Sequence, residues 1–172
     1  QLGALLASDI ANCMNIPAFV VNPPDTDELQ TVARITGIKG VYRNVHLHAL
    51  NLKETAIRHA KKMNKKVSEC NFIVCHIGGG VSISAHRCGK MIDGNDIVGG
   101  EGPMAPTRCG SIPAVELIDL CFSGISKKEA KAFCTKSGGF VSLLNTSDAQ
   151  EVLRRVESKD AAAKLIWEAF KY

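Results

Sequence analysis

A chain of 172 residues is long enough to bury one real core, and 45% hydrophobic with 22% charged content excludes a disordered or low-complexity protein. A formal net charge of +4 is too small to argue for a nucleic-acid partner, and no apolar run approaches the ~20 residues that a membrane span needs. Seven cysteines form an odd set with no C-x-x-C pair, which argues against a disulfide framework or a zinc site. Reduced thiols, and hence a cytoplasmic location, are expected.

Leu2, Leu5, Leu6 and Ile10 recur at helical spacing and predict a helix over residues 2–14. The apolar run Ile16–Val21 reads as a buried strand, ended by Asn22-Pro23-Pro24 because proline cannot extend a ladder. Asp25 with Glu28 three residues on resembles a capping box and predicts a short helix to about Gly37. A longer helix is expected over residues 48–66, with Leu50, Ile57 and Ala60 on one side. Its lysine cluster, Lys61, Lys62, Lys65 and Lys66, reads as a solvated end.

The periodicity then changes. Phe72–Ile77 is apolar, Val81, Ile83 and Ala85 alternate with Ser82, Ser84 and His86, and a turn at Cys88-Gly89 leads into Lys90–Asp93. Three consecutive strands with short turns predict an antiparallel meander. Cys75 and Cys121 lie in apolar runs and are expected in the core. Gly94–Ser111 reads as loop, with Asp93 and Asp96 as turn formers. Pro113 starts a helix that Ser123-Gly124 ends, and Ser126/Glu129 and Ser147/Gln150 open two more as capping boxes. Ala162, Leu165, Ile166, Ala169 and Phe170 form a last helical stripe. Because the sequence starts and stops inside helical patterns, an internal fragment of a longer protein is expected.

The chemistry concentrates in residues 75–113. A triple glycine, Gly78, Gly79 and Gly80, joins two β-prone runs; an acidic loop follows at Gly100–Pro103, and Arg108 precedes a helix. Glycines in a tight turn let backbone N–H groups converge on an anion, and an arginine neutralises charge that moves during phosphoryl transfer. The spacing is neither of the familiar glycine fingerprints. A dinucleotide loop would need glycine where Ile83 stands, and Gly89-Lys90 is followed by Met91 rather than Ser or Thr.

Cys75-His76, the triple glycine and Val81–His86 together resemble the H-[LI]-G-G-G-[IV]-S-[VI]-x-A-H block of the acetokinase family, and within it the butyrate kinases. Gly102-Pro103-x-x-Pro106-x-Arg108-x-Gly110 is similar to its G-P-F-x-P-x-R-S-G segment. Leu47-His48-Ala49-Leu50-Asn51 is similar to F-H-A-L-N, and residues 17–36 and 138–148 match further family stretches, so the resemblance runs along the whole chain. It implies an α/β fold that is part of an actin-like ATPase (ribonuclease H-like) two-domain architecture. Residues 1–24 would end the first domain, and residues 25–172 would form most of the second.

The resemblance further implies ATP and Mg²⁺, a short-chain fatty acid substrate such as butyrate, a homo-oligomer, and the reaction of ATP with butyrate to ADP and butyryl phosphate. Gly78, Gly79 and Gly80 would hold nucleotide phosphates with His76 beside them, Arg108 would contact the substrate carboxylate and the moving phosphate, and His48 would be an active-site histidine. His46 and His59 have no such counterpart. Asn22 stands where the family has a strand-ending aspartate associated with Mg²⁺. Glu101 is open to two roles, holding Mg²⁺ through water or orienting the turn. Met104 and Cys109 replace the family's Phe and Ser and read as changes that tune the pocket. Leu52 replaces a second histidine. With Asn22 it favours one alternative to butyrate kinase, a weakened nucleotide-binding relative; a sister short- or branched-chain acyl kinase is the other, decided by pocket size. The fragment alone is expected to be inactive.

Overall fold

The computed structural model describes residues 2–172; Gln1 lies outside the described residues. Helix α1 (Leu2–Met14) comes first, then an irregular stretch with a 3-10 turn at Thr31–Arg34, and then α2 (Ala49–Lys62). The meander follows as β1 (Asn71–Ile77), β2 (Val81–Arg87) and β3 (Lys90–Gly94). Five helices complete the chain: α3 (Ala114–Phe122), α4 (Lys127–Thr135), α5 (Gly139–Leu144), α6 (Ala149–Glu157) and α7 (Ala161–Lys171).

The sheet has the order β1-β2-β3 and is antiparallel throughout. Its first hairpin pairs Ile77 with Val81 across the triple glycine and Asn71 with Arg87 at the far end. A bulge between Ala85 and His86 shifts the register against β3. Cross-strand partners share a face, so Phe72, Val74 and His76 lie beside His86, Ser84 and Ser82. This is the inward face. The alternation in β2 is therefore real, but its polar side is the buried one: Ser82, Ser84 and His86 are almost fully shielded, while Ile73 and Ile77 stay exposed. Hydrogen bonds satisfy the serines, since Ser84 Oγ lies 2.8 Å from His86 Nε2 and Ser82 Oγ 2.8 Å from His48 Nδ1, while His86 Nδ1 is buried without a partner among the described residues.

Helix α2 covers that face with Ala49, Leu52, Ala56 and Ala60 rather than with Leu50 and Ile57, which are exposed. Small residues on this stripe let the helix lie close to the strands. Leu47, Leu52, Val74 and Met91 fill the space between them, each contributing about 2 kcal/mol of burial. A second core forms among the C-terminal helices, where Phe140, Leu144, Val152 and Ala163 are enclosed by Trp167 and Phe170.

Several local expectations change. Ile16–Val21 is extended but is no strand: the described residues offer it no ladder, and Phe19, Val20 and Val21 are exposed. Glu28 caps nothing. It pairs with Lys53 at 2.7 Å and accepts the Met91 N–H, so only the short 3-10 turn forms after it. Cys75 and Cys121 are exposed; Cys75 sits on the outer face of β1. The Ser126–Glu129 box is present with both reciprocal bonds, whereas α6 is capped by Asp148, one residue beyond the expected serine.

Candidate active site

The meander aims its first turn at the residue that precedes α2. His48 ends the approach to α2, and its ring stacks on that of His76 at 3.9 Å, with the planes 17° apart. His76 Nδ1 donates to Asn51 Oδ1 at 3.2 Å, and His48 Nδ1 meets Ser82 Oγ. Burial lowers the pKa of His48 first, and His76 and Arg108 lower it further, so the ring is held neutral.

The turn is closed by the Gly78 N–H, which donates to Gly80 O at 3.0 Å. That amide is consumed, while the Gly79 and Gly80 amides have no acceptor among the described residues. None of the three glycines takes a positive φ. Space is what Gly80 supplies: a Cβ there would overlap Arg108 Nη1 and come 3.3 Å from His48 Cε1. The arginine thus lies across the turn, with its tip against Gly80 and His48. Its Nε is buried and has no hydrogen-bond partner among the described residues.

Arg108 is held from behind. Thr107 Oγ1 donates to Gly79 O at 3.2 Å, tying its loop to the hairpin. Cys109 N donates to Phe133 O, Gly138 N to Thr107 O and Val141 N to Pro106 O, laying the loop on the end of α4 and the start of α5. Gly139 is required there by close approach, since a Cβ would overlap Ala105 O. The paired glycines at 138–139 were the visible signal for this support.

A cleft of about 930 Å³ opens beside the two histidines, lined on its other side by Phe19, Val20, Val21 and Asn22. Asn22 thus shares the cleft with His48 and His76. Neither the glycine turn, nor Arg108, nor Glu101 lines that cleft; His48 and His76 stand between the two. One Glu101 oxygen is bonded to Arg43 Nε at 2.6 Å, and Arg43 also holds Asp93 and the Gly94 carbonyl. Arg43 thereby ties the Glu101 side chain to the end of β3. Asp96 is a turn former as expected, accepting the Val98 and Gly99 amides, and it also meets His46 Nδ1. Among the described residues no three His, Cys, Asp or Glu side chains gather as a metal site.

Met104 packs against the Phe140 core, and together with Cys109 it lines a separate cavity of about 300 Å³ rather than the cleft beside the histidines. Cys109 lies against Cys134, and burial pushes its thiol up to about 11. Leu52 is wholly buried in the α2–sheet core, so the departure there removes nothing from the cleft. Sequence reading missed Ser82, Arg43, Thr107 and Asn95. Asn95 bridges β2 to the acidic loop through Ile83 N and the Val81 and Glu101 carbonyls. Their contacts span long separations, and only the polar residues inside an otherwise strand-like run hinted at one of them.

The mixed α/β arrangement, a three-stranded antiparallel sheet with helices, is part of an actin-like ATPase fold. Residues 29–172 match the acetokinase family, and the chain belongs to it. Solved structures agree. A Porphyromonas gingivalis acetate kinase is 21% identical with a TM-score of 0.76, over 84% of this chain and 38% of that one. A propionate kinase from Francisella tularensis subsp. tularensis SCHU S4 is 25% identical with a TM-score of 0.72, over 83% and 38%. An Entamoeba histolytica acetate kinase is 23% identical with a TM-score of 0.70, over 83% and 39%. The chain therefore spans about two fifths of the length of these structures.

Proposed function

We propose that this chain forms one wall of the cleft of a carboxylate kinase, which transfers the terminal phosphoryl group of ATP to butyrate, giving ADP and butyryl phosphate. The observation that carries the reading is the convergence of Arg108, His48 and His76 on the Gly78–Gly80 turn, with a buried guanidinium nitrogen lacking any protein acceptor. Residues 1–24 would close the first domain and residues 25–172 form most of the second, supported by a family match that begins at residue 29. The complete protein is proposed as a cytoplasmic homo-oligomer. Among the described residues no helix is long and apolar enough to cross a membrane.

The residues suit this chemistry. A carboxylic acid with a pKa of ~4–5, by analogy with Glu, is already ionised at neutral pH, so no general base is required. The carboxylate oxygen attacks the terminal phosphorus as the bond to ADP breaks. The barrier lies in bringing anions together and aligning them. Arg108 can bridge two oxygens with its planar fork, and the Gly79 and Gly80 amides add neutral donors. The apolar side of the cleft, Phe19, Val20 and Val21, supports an acid with an alkyl tail.

Mg²⁺ bound to the nucleotide phosphates would neutralise charge during transfer. From this chain Asn22 could reach it with a neutral oxygen, and Glu101 only with the oxygen that Arg43 leaves free. These residues do not make a magnesium cage by themselves, and no step is assigned to them.

The test is acyl phosphate formation by the complete protein with acetate, propionate, butyrate and isobutyrate. Highest kcat/KM with butyrate supports the proposal. A preference for another acid reassigns the substrate, and nucleotide binding without turnover on any acid identifies a weakened relative.

A further inference from the structure

Ser82 sits at the turn end of the buried face of β2, and it is fully shielded from solvent. Its Oγ lies 3.2 Å from the His48 backbone N and 2.8 Å from His48 Nδ1. Among the described residues these are its only hydrogen-bond partners. A backbone N–H can only donate, so Ser82 Oγ accepts that bond. The serine still has one proton of its own, and a buried O–H with no acceptor is costly. His48 Nδ1 is the only acceptor available. The lone pair of Nδ1 is thereby used, and the single proton of the neutral ring falls on Nε2.

We propose that Ser82 is a positioning residue that sets the tautomer of His48, so that the imidazole presents an Nε2–H donor to the cleft beside Gly80 and Arg108. Two positions along the strand, a similar pair carries no such constraint. Ser84 Oγ meets His86 Nε2 at 2.8 Å, but it also has the Val74 carbonyl at 3.5 Å as a second destination for its proton. Only the Ser82 bookkeeping closes. The stacked His76 ring limits rotation of His48, so the serine and the stack together fix both the orientation of the ring and its proton.

The functional half of this inference rests on the kinase reading. An Nε2–H donor cannot remove a proton from a substrate, but it can stabilise charge on an oxygen of the transferring group. That matches a reaction whose nucleophile is already ionised. The tautomer itself does not depend on that reading, and the two can fail separately.

The experiment is long-range proton–nitrogen correlation spectroscopy on the complete protein labelled with ¹⁵N-histidine, at pH 7.5. The expected result is a pyridine-like, hydrogen-bonded Nδ1 and a pyrrole-like Nε2 for His48. Ser82→Ala should let the two nitrogens average toward a tautomer mixture. It should lower kcat by about 10- to 100-fold with little change in KM for the acid, the scale on which partners behind a functional histidine act. Ser82→Thr keeps the hydroxyl and should restore the tautomer and most of the turnover. A protonated Nδ1 in the unaltered protein overturns the proposal without any variant. Full kcat in Ser82→Ala overturns its functional half. A parent protein with the expected nitrogen shifts but no kinase activity would support the tautomer and remove the kinase reading.

Discussion

The rings of His48 and His76 stack at 3.9 Å, one from the residue before α2 and the other from the end of β1. Two imidazoles placed face to face beside an arginine cannot all carry charge cheaply. Burial, with His76 and Arg108 in addition, keeps His48 below its ordinary pKa, so it meets an incoming anion as a neutral hydrogen-bonding group.

Arg108→Ala in the complete protein is expected to reduce acyl phosphate formation on the order of 10³-fold or more, the scale of arginine contributions to phosphoryl transfer. Arg108→Lys should recover little, because an ammonium is a point charge without the planar fork. Trapping acyl phosphate with hydroxylamine measures both. Near-normal turnover in the alanine variant would take Arg108 out of the site.

The two later glycines of the turn should respond differently. A Cβ on Gly80 would overlap Arg108 Nη1, whereas one on Gly79 meets nothing within 4 Å. Gly80→Ala should therefore displace the arginine and lose most activity while the fold persists. Gly79→Ala should leave thermal stability nearly unchanged, and any effect should show only as weaker ADP binding by calorimetry. Equal loss in both variants would contradict the placement of Arg108 over Gly80.

Restoring the histidine at position 52 should not help. Leu52 is fully buried among Leu47, Val74 and Met91, so Leu52→His would place a polar ring in an apolar core. A loss of ~2–4 kcal/mol in urea unfolding is expected, with no gain in turnover. An increase in kcat would show that this position communicates with the cleft.

Acidification should destabilise the fold through His86 as well as His48. Burial lowers the pKa of His86 first and Lys53 lowers it further, against a smaller opposing effect of Glu28. Between the lowered folded value and the ordinary value of ~6.5, the unfolded chain binds the extra proton, so stability falls as pH falls through that window. Urea midpoints measured from pH 7.5 down to 5 should decline, above the range where Glu28, held below its usual value by Lys53 and the Met91 amide, becomes protonated. His86→Gln should flatten part of that decline. An unchanged slope would mean that His86 titrates alike in the folded and unfolded protein, and a steeper one that folding favours its protonated form.

Local patterns were enough for the meander, α1, α2, α3 and the Ser126–Glu129 cap, because each depends on residues a few positions apart. The glycine turn, Arg108 and His48 were grouped by the resemblance to the acetokinase family and not by local periodicity. Other features belong to the tertiary structure. Glu28 could cap a helix or pair with Lys53, and Lys53 wins because α2 brings it within 2.7 Å while the β3 amide supplies a second bond. Ile16–Val21 has strand-like residues, but a strand exists only where another one pairs with it. The inward face of β2 is polar because His48 and the Val74 carbonyl wait there to satisfy its serines, and no periodicity in the strand itself reveals partners that distant in the chain. The sequence by its residue types offers groups suited to binding anions, a glycine turn, an arginine and histidines. Their meeting at one turn, and the position of the His48 proton, follow from long-range packing that brings α2, the meander and the Arg108 loop together.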